Sequence, residues 1–459
     1  MKLAQIDITN FRCFKSLSIP LRPDVNVLVG VNGAGKTAIL DAIAISLFHI
    51  ISATGGGPTQ PNTQHAALQP SDIHILPGSD SAETGRRDFV HFRTVIEGLD
   101  ERIYRDIPQL PSAQEGDDRS KFVLDEEIVY NPPNFDYRLE PVDRLKQYFG
   151  MLWGDIRKNP AKRVPLPVFA YYRATRRISG MPEMGDIFKV PMERVSAFEN
   201  ALDAGANYQA MCQWFYLREN QELRKQKQDN SCEFSDLKAV RQALITMLEN
   251  VERVFFDDNP PRLLVALTNP GGAPQIMSLE QLSDGYRNLL AVVLDFARRL
   301  ALAHPNWENP LEAPGILLID EIDLHLHPTW QQRVIPRLRQ VFPNTQLIVA
   351  THSPQVLTTV HRENIMILKD QKLYSPGSGT YGAESSRTLD QVMGTASRPP
   401  DNEVVASINR LFEMINQEKF SEAERECERL MTEIGIDEPA LVEADMMIKN
   451  RLWERELGL

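Results

Sequence analysis

Four short segments stand in one fixed order along this chain, and the first of them constrains the fold most. Gly30-Val31-Asn32-Gly33-Ala34-Gly35-Lys36-Thr37 fits the pattern G-x4-G-K-T. The apolar run Val25 to Val29 precedes it, and Ile39, Leu40, Ile43 and Leu47 follow at helical spacing. A strand, a glycine-rich turn and a helix in that order are the setting of a phosphate-binding loop. Glycines let backbone N–H groups curl around phosphate oxygens, and the helix start adds partial positive charge. The spacing therefore predicts an α/β chain of the P-loop NTPase class.

The chemistry expected of each residue follows. Asn32, Gly33, Ala34 and Gly35 form the cradle, Lys36 reaches the β- and γ-phosphates of ATP, and the Thr37 hydroxyl binds Mg²⁺. The buried-strand pattern Gly315 to Ile319 ends in Asp320-Glu321. Ligands in parallel sheets collect at the carboxyl ends of strands. Asp320 is expected to hold Mg²⁺ and Glu321 to take a proton from the attacking water. A neighbouring strand, Gln346 to Ala350, ends in Thr351-His352-Ser353, which puts His352 where it can bond the γ-phosphate. Leu282-Ser283-Asp284-Gly285-Tyr286 opens an apolar helix and offers Ser283 and Gly285 to an anion. His325 and His327 stand two apart with no further ligand nearby, and read as a packed loop rather than a zinc site.

In this order the segments resemble the ABC-class ATPases, in the branch with RecF, SMC and OLD-type heads. The opening Ile6-Asp7-Ile8-Thr9-Asn10-Phe11-Arg12-Cys13-Phe14 looks like the N-terminal strand and turn of that branch. The resemblance implies an ABC-type head with a mixed sheet and an arginine, Arg12, that can approach the nucleotide. The signature departs from L-S-G-G-Q at Asp284 and Tyr286. No Q-loop glutamine stands out, and Tyr171-Tyr172-Arg173 occupies the place of that loop. Residues 282–302, Leu318 to Pro328 and Ala350 to Leu357 further resemble the PtuA family of Septu anti-phage systems and its retron-associated relatives. That resemblance implies a homodimer or even-numbered homo-oligomer working with a separate HNH-type nuclease subunit of PtuB type. Phage or host nucleic acid would be met through the complex. Because the P-loop and the signature belong to opposite faces of such a head, complete ATP sites require two copies.

The alternative is a DNA-repair ATPase of RecF or SMC type that binds DNA directly. The charge balance weighs against it. The net charge is −12, and residues 401–459 carry 15 acidic against 7 basic groups. Basic clusters at Arg157-Lys158, Lys162-Arg163, Arg173 with Arg176-Arg177, and Arg224-Lys225-Gln226-Lys227 read as solvated faces. An OLD-type nuclease is disfavoured because no Asp-x-Asp pair follows His352. No apolar run reaches a membrane-spanning length, the N-terminus enters a strand at once, and four scattered cysteines fit a reducing cytoplasm.

The expected organisation is discontinuous. Residues 1–178 form the N-terminal part of the head, with mobile loops at 52–85 and 108–120 and alternating strands over 88–107. A helical insertion lobe covers 179–261, with helices over 192–228 and 235–253. Residues 262–370 complete the head, and 371–459 form a linker and an acidic helical tail for docking or oligomerisation. In that tail Ser421 and Glu424 read as a capping box.

Overall fold

The computed structural model describes residues 1–53, 68–74, 89–99, 121–131, 134–140, 142–174, 192–202, 208–248, 250–258, 261–268 and 272–457. The expected loop at 108–120, most of 52–85 and the pair Arg176-Arg177 lie outside the described residues. Two compact units emerge, Met1–Thr388 and Leu389–Leu459.

The first unit is built on a six-stranded sheet. Its strands are β3 (Val25–Val29), β7 (Val168–Tyr172), β11 (Gly315–Ile319), β12 (Thr345–Thr351), β13 (Ile365–Lys369) and β14 (Lys372–Tyr374), in the order β14-β13-β3-β12-β11-β7. All neighbours pair in parallel except the edge strand β14. Strands β3, β7, β11 and β12 are buried at every residue, as a sheet covered on both faces demands. Helix α1 (Lys36–Ala53) covers one face. Its residues Ile39, Leu40, Ile43 and Leu47 are fully buried. Later helices are α2 (Val142–Lys158), α3 (Tyr208–Gln226), α4 (Ser235–Met247) and α5 (Asp284–Ala303). Helix α5 packs on the face opposite α1: Tyr171 and Tyr172, consecutive in β7, bond to Asp41 of α1 and Asp295 of α5 respectively.

An antiparallel sheet lies beside this core, in the order β2-β1-β4-β5-β6. Its members are β1 (Lys2–Phe11), β2 (Phe14–Pro20), β4 (Phe89–Glu97), β5 (Lys121–Asn131) and β6 (Asn134–Glu140). Val90, Phe92, Thr94 and Ile96 form the inward face of β4, as their alternation predicts. A third sheet joins β8 (Val251–Asp258), β9 (Pro261–Leu267) and β10 (Gln275–Ser278).

The helix expected over 235–253 is corrected. Helix α4 stops at Met247, Asn250 takes a positive φ of 67°, and Val251 onward pairs with β9. The run Val254-Phe255-Phe256 favours the pleated surface. The helix expected over 192–228 is likewise a short 3₁₀ turn at Arg194–Phe198 followed by α3.

The second unit holds α7 (Glu403–Asn416), α8 (Phe420–Ile434) and α9 (Pro439–Leu457), after α6 (Val334–Val341) of the first unit. Ile408, Leu411, Ala423, Cys427, Leu430, Leu441, Ala444 and Ile448 form its core. The capping box at Ser421 is not formed, because α8 begins at Phe420 with Lys419 as its N-cap, two residues before the expected cap. Phe420 is buried and draws the first turn onto the core. No helix among the described residues is long and apolar enough to cross a membrane.

Candidate nucleotide site

Strand register decides which side chains meet. Val29 stands opposite Thr351, and Ile319 opposite both Val349 and Tyr172. The P-loop, Asp320-Glu321, His352 and Arg173 therefore all leave the sheet at one edge, the carboxyl ends of the parallel strands.

The loop from Gly30 to Gly35 turns on Ala34 N–H donating to the Val31 carbonyl (3.1 Å). Gly35 has φ +109°, and a Cβ there would lie 2.6 Å from Phe14 Cζ and 2.7 Å from Cys13 Sγ. The turn between β1 and β2 thus packs directly against the loop. Asn32 and Gly33 are exposed on its crest. Lys36 Nζ donates to the carbonyls of Gly30 (2.8 Å) and Val31 (3.2 Å), which holds the ammonium beside the loop. Burial lowers the Lys36 pKa, against the opposing pull of Asp320, Glu321 and Asp323.

Thr37 and Asp320, 283 residues apart in sequence, meet: Thr37 Oγ1 donates to Asp320 Oδ2 at 2.7 Å. Asp320 is 3% exposed. A hydroxyl and a carboxylate side by side are hard oxygen donors of the kind Mg²⁺ takes. Glu321, the next residue, adopts φ +46°, a conformation rare for a residue with a side chain and frequent at functional sites. His352 is half-buried, and burial followed by Lys36 lowers its pKa. A ring N–H at this strand end can donate to a phosphate oxygen.

Sequence reasoning missed Asp323, which ties the acidic strand end to the histidine. Thr351 Oγ1 donates to Asp323 Oδ1 (2.5 Å), and the His352 N–H approaches the same oxygen at 3.4 Å. The sequence signals were its place two residues after Glu321 and inside the segment Leu318 to Pro328 that carries the family resemblance. Ser353 caps the turn that follows and donates to Gln331 Oε1 (2.7 Å), whose amide donates to Leu326 O (2.9 Å). His327 caps the turn at Pro328.

Ser283 is the N-cap of α5, but its hydroxyl makes no capping bond and the residue is exposed. Gly285 is buried, and a Cβ there would lie 2.2 Å from the His325 carbonyl oxygen. Tyr286 stacks edge-on against Trp330 at 5.0 Å. The signature start is thus fastened to the 323–328 loop of its own chain. Arg12, in the left-handed region at φ +48°, pairs with Asp41 (2.5 Å) and Asp72 (2.8 Å). Burial opposes its charge, and these two carboxylates outweigh that effect, so its pKa is raised.

The family model described as AAA domain, putative AbiEii toxin, Type IV TA system matches residues 25–358, from the strand before the P-loop to the turn after His352. The Retron Ec83 probable ATPase of Escherichia coli is 29% identical over 484 aligned positions, covering 99% of this chain and 88% of that protein. The Septu protein PtuA of Bacillus mycoides is 37% identical over 102 positions, 22% of this chain and 14% of that protein. Among solved structures, an SMC head bound to the C-winged helix domain of ScpA aligns with a TM-score of 0.45 at 17% identity, over 82% of this chain and 98% of that one.

Proposed function

The chain belongs to this AAA-domain family and is an ATPase, and from that premise we propose that it is the ATP-hydrolysing subunit of an anti-phage defence complex whose ATP sites are completed between two copies of the chain. The likeness to a retron ATPase over nearly the whole chain and the likeness to Septu PtuA support the defence reading. The partner it fits is a separately encoded HNH-type nuclease, switched by ATP-dependent pairing of heads.

The observation that carries the shared site is the exposed start of α5. Ser283 faces solvent with its hydroxyl unused by the helix it begins, so an anion brought by a second copy can be received there. Lys36 and the loop amides bind the β- and γ-phosphates. Thr37 and Asp320 would hold Mg²⁺, which when bound offsets phosphate charge. Glu321 accepts the proton of the attacking water, and His352, whose backbone N–H faces Asp323, donates a ring N–H to the terminal phosphate.

Mixed-subunit complementation tests the split site. Lys36→Ala spoils one half and Ser283→Arg the other. Each variant alone is expected to be inactive, and a mixture to regain ATPase activity from one intact site per mixed dimer. Absence of rescue in verified mixed dimers, or full activity from a monomer by light scattering, would rule the shared site out.

A further inference from the structure

Four basic side chains stand in the seven-residue run Arg157-Lys158-Asn159-Pro160-Ala161-Lys162-Arg163, which closes α2 and leads towards β7 with no acidic residue in it. All seven residues are exposed. The run is nonetheless fixed in place. Asn159 N–H donates to Asp155 O and Lys162 N–H to Asn159 O, each at 3.0 Å. The Pro160 carbonyl accepts from Arg194 Nη2 (3.2 Å) and from the side-chain amide of Asn306. A little further on, Leu166 N–H donates to His304 Nε2 at 3.1 Å. The turn is thus tied to the 3₁₀ turn at Arg194–Phe198 and to the segment that follows α5.

Its charge is not balanced. Lys162 pairs with Asp155 at 2.7 Å. Among the described residues, no carboxylate pairs with Arg157, Lys158, Arg163 or Arg194. By contrast, Arg218, Arg241 and Arg262 of the same unit each hold a carboxylate. Arg194 is half-buried against the turn, and burial alone lowers its pKa. A guanidinium drawn partly out of water with no counter-charge favours an anion beside it. Basic residues in the last turn of a helix complement its dipole, which accounts for Arg157 and Lys158. That does not account for Arg163 or Arg194.

Strand β7 runs parallel to β11 and begins at Val168, so the turn feeds the amino end of the sheet. Asp320 and the P-loop stand at the other end, and ATP bound there is not the anion this turn would meet. We propose that Arg157, Lys158, Arg163 and Arg194, on the fixed turn between α2 and β7, bind the phosphodiester backbone of a nucleic acid. One phosphate or carboxylate would occupy one or two of these cations. A nucleic-acid strand repeats its charge about every 3.4 Å of helix rise, so successive phosphates can meet successive side chains. Such contacts position a strand without reading its sequence. On a chain of net charge −12, a local basic turn also fixes where a polyanion can approach.

Fluorescence anisotropy of the full chain with a labelled single-stranded DNA, the RNA of the same sequence and the DNA duplex, each over a series of salt concentrations, tests this. The triple variant Arg157→Gln, Lys158→Gln, Arg163→Gln is expected to bind the preferred probe about 10-fold or more weakly. Its slope of log K against log salt should be smaller by about 2–3. The probe that the unaltered chain binds most tightly identifies DNA or RNA as the source of the backbone. Arg224→Gln with Lys227→Gln, at the basic end of α3, controls for diffuse charge and should change neither quantity. Should the triple variant melt early, Arg163→Gln alone carries the comparison, with a slope smaller by about 1. The proposal is overturned if no probe binds, if the slope is unchanged in the variant, or if the α3 variant weakens binding equally. It is also overturned if polyglutamate displaces the probe as well as unlabelled nucleic acid does, which would assign the turn to an acidic protein.

Discussion

Asp41 and Asp295 stand on opposite faces of β7, each bonded to two arginines and to one of the strand's consecutive tyrosines. Their surroundings differ. Around Asp41 the side chains of Arg12 and Arg173 are 30% and 22% exposed. Around Asp295 the side chains of Arg298 and Arg299 are 4% and 1% exposed. Arg299 also donates to the carbonyls of Ala197 and Glu199, pinning the turn before α3 to the signature helix. Burial opposes ionisation of Asp295, but Arg299 and Arg298 overcome it and hold the carboxyl well below its usual range. The same residue types thus make a sealed internal joint where water is excluded and a partly solvated cluster where it is not.

The largest effects should separate the two regions. Glu321→Gln keeps shape and hydrogen bonding at the mouth but cannot take the proton. Turnover is expected to fall about 10²- to 10⁴-fold with the melting temperature unchanged. Asp295→Ala should do the reverse. It strands two buried guanidinium groups and should destabilise the head by about 3–5 kcal/mol in a denaturant titration. If Glu321→Gln melts early, or Asp295→Ala keeps wild-type stability, the division between reactive edge and sealed interior fails.

A pH titration gives a somewhat smaller and sharper test on the interior side. His304 closes α5, fully buried, with Nδ1 donating to Leu300 O (2.9 Å) and Nε2 accepting the Leu166 N–H (3.1 Å). That pattern fits a neutral ring, and burial takes its pKa from 6.5 down to about 4. The folded-state pKa is depressed, so the unfolded chain binds the proton first. The contribution of His304 is complete above pH 6.5 and is lost as the pH falls towards 4. The loss is about 3 kcal/mol over that window. His304→Asn should flatten the profile between pH 6.5 and 4. An unaltered slope in the variant would move the acid sensitivity elsewhere.

Legibility in the sequence followed the range of the contacts. The P-loop, the acidic strand end and His352 were readable because each is a local pattern at the end of an apolar strand. Parallel register then brought them together. The same local logic found the tail helices, whose apolar faces repeat at 3.6 spacing. Asp41 was not readable. It is one polar residue in an apolar helix, and its partners lie 29 and 132 residues away. Asp295, Arg298 and Arg299 stand at i, i+3 and i+4, a spacing that could have flagged an internal ion cluster. The apolar positions around them read simply as a packing helix. The run after Met247 fits a helix or a strand equally, because a short apolar stretch suits either period, and only pairing with β9 decides it.

Gly285 belongs to both regions and gives the smallest expected effect. We propose it as a phosphate contact from its place at the start of α5, yet its own chain also requires it to be glycine. A Cβ would sit 2.2 Å from the His325 oxygen and 2.8 Å from the His325 carbon, and backbone cannot yield as a flexible side chain does. The 323–328 loop has little room to retreat. His325 is already at φ +61°, the Leu326 carbonyl is held by Gln331, and Trp330 lies against Tyr286. Gly285→Ala should therefore cost about 1–3 kcal/mol of stability, as overpacking does, even with no nucleotide present. It should also lower ATPase activity, because a displaced 323–328 loop disturbs Asp323 and through it His352. Denaturation without nucleotide, set beside the ATPase rate, distinguishes the roles. Unchanged stability with lost activity would make Gly285 a residue of the mouth alone, and the fastening of the signature to its own chain would carry no energy.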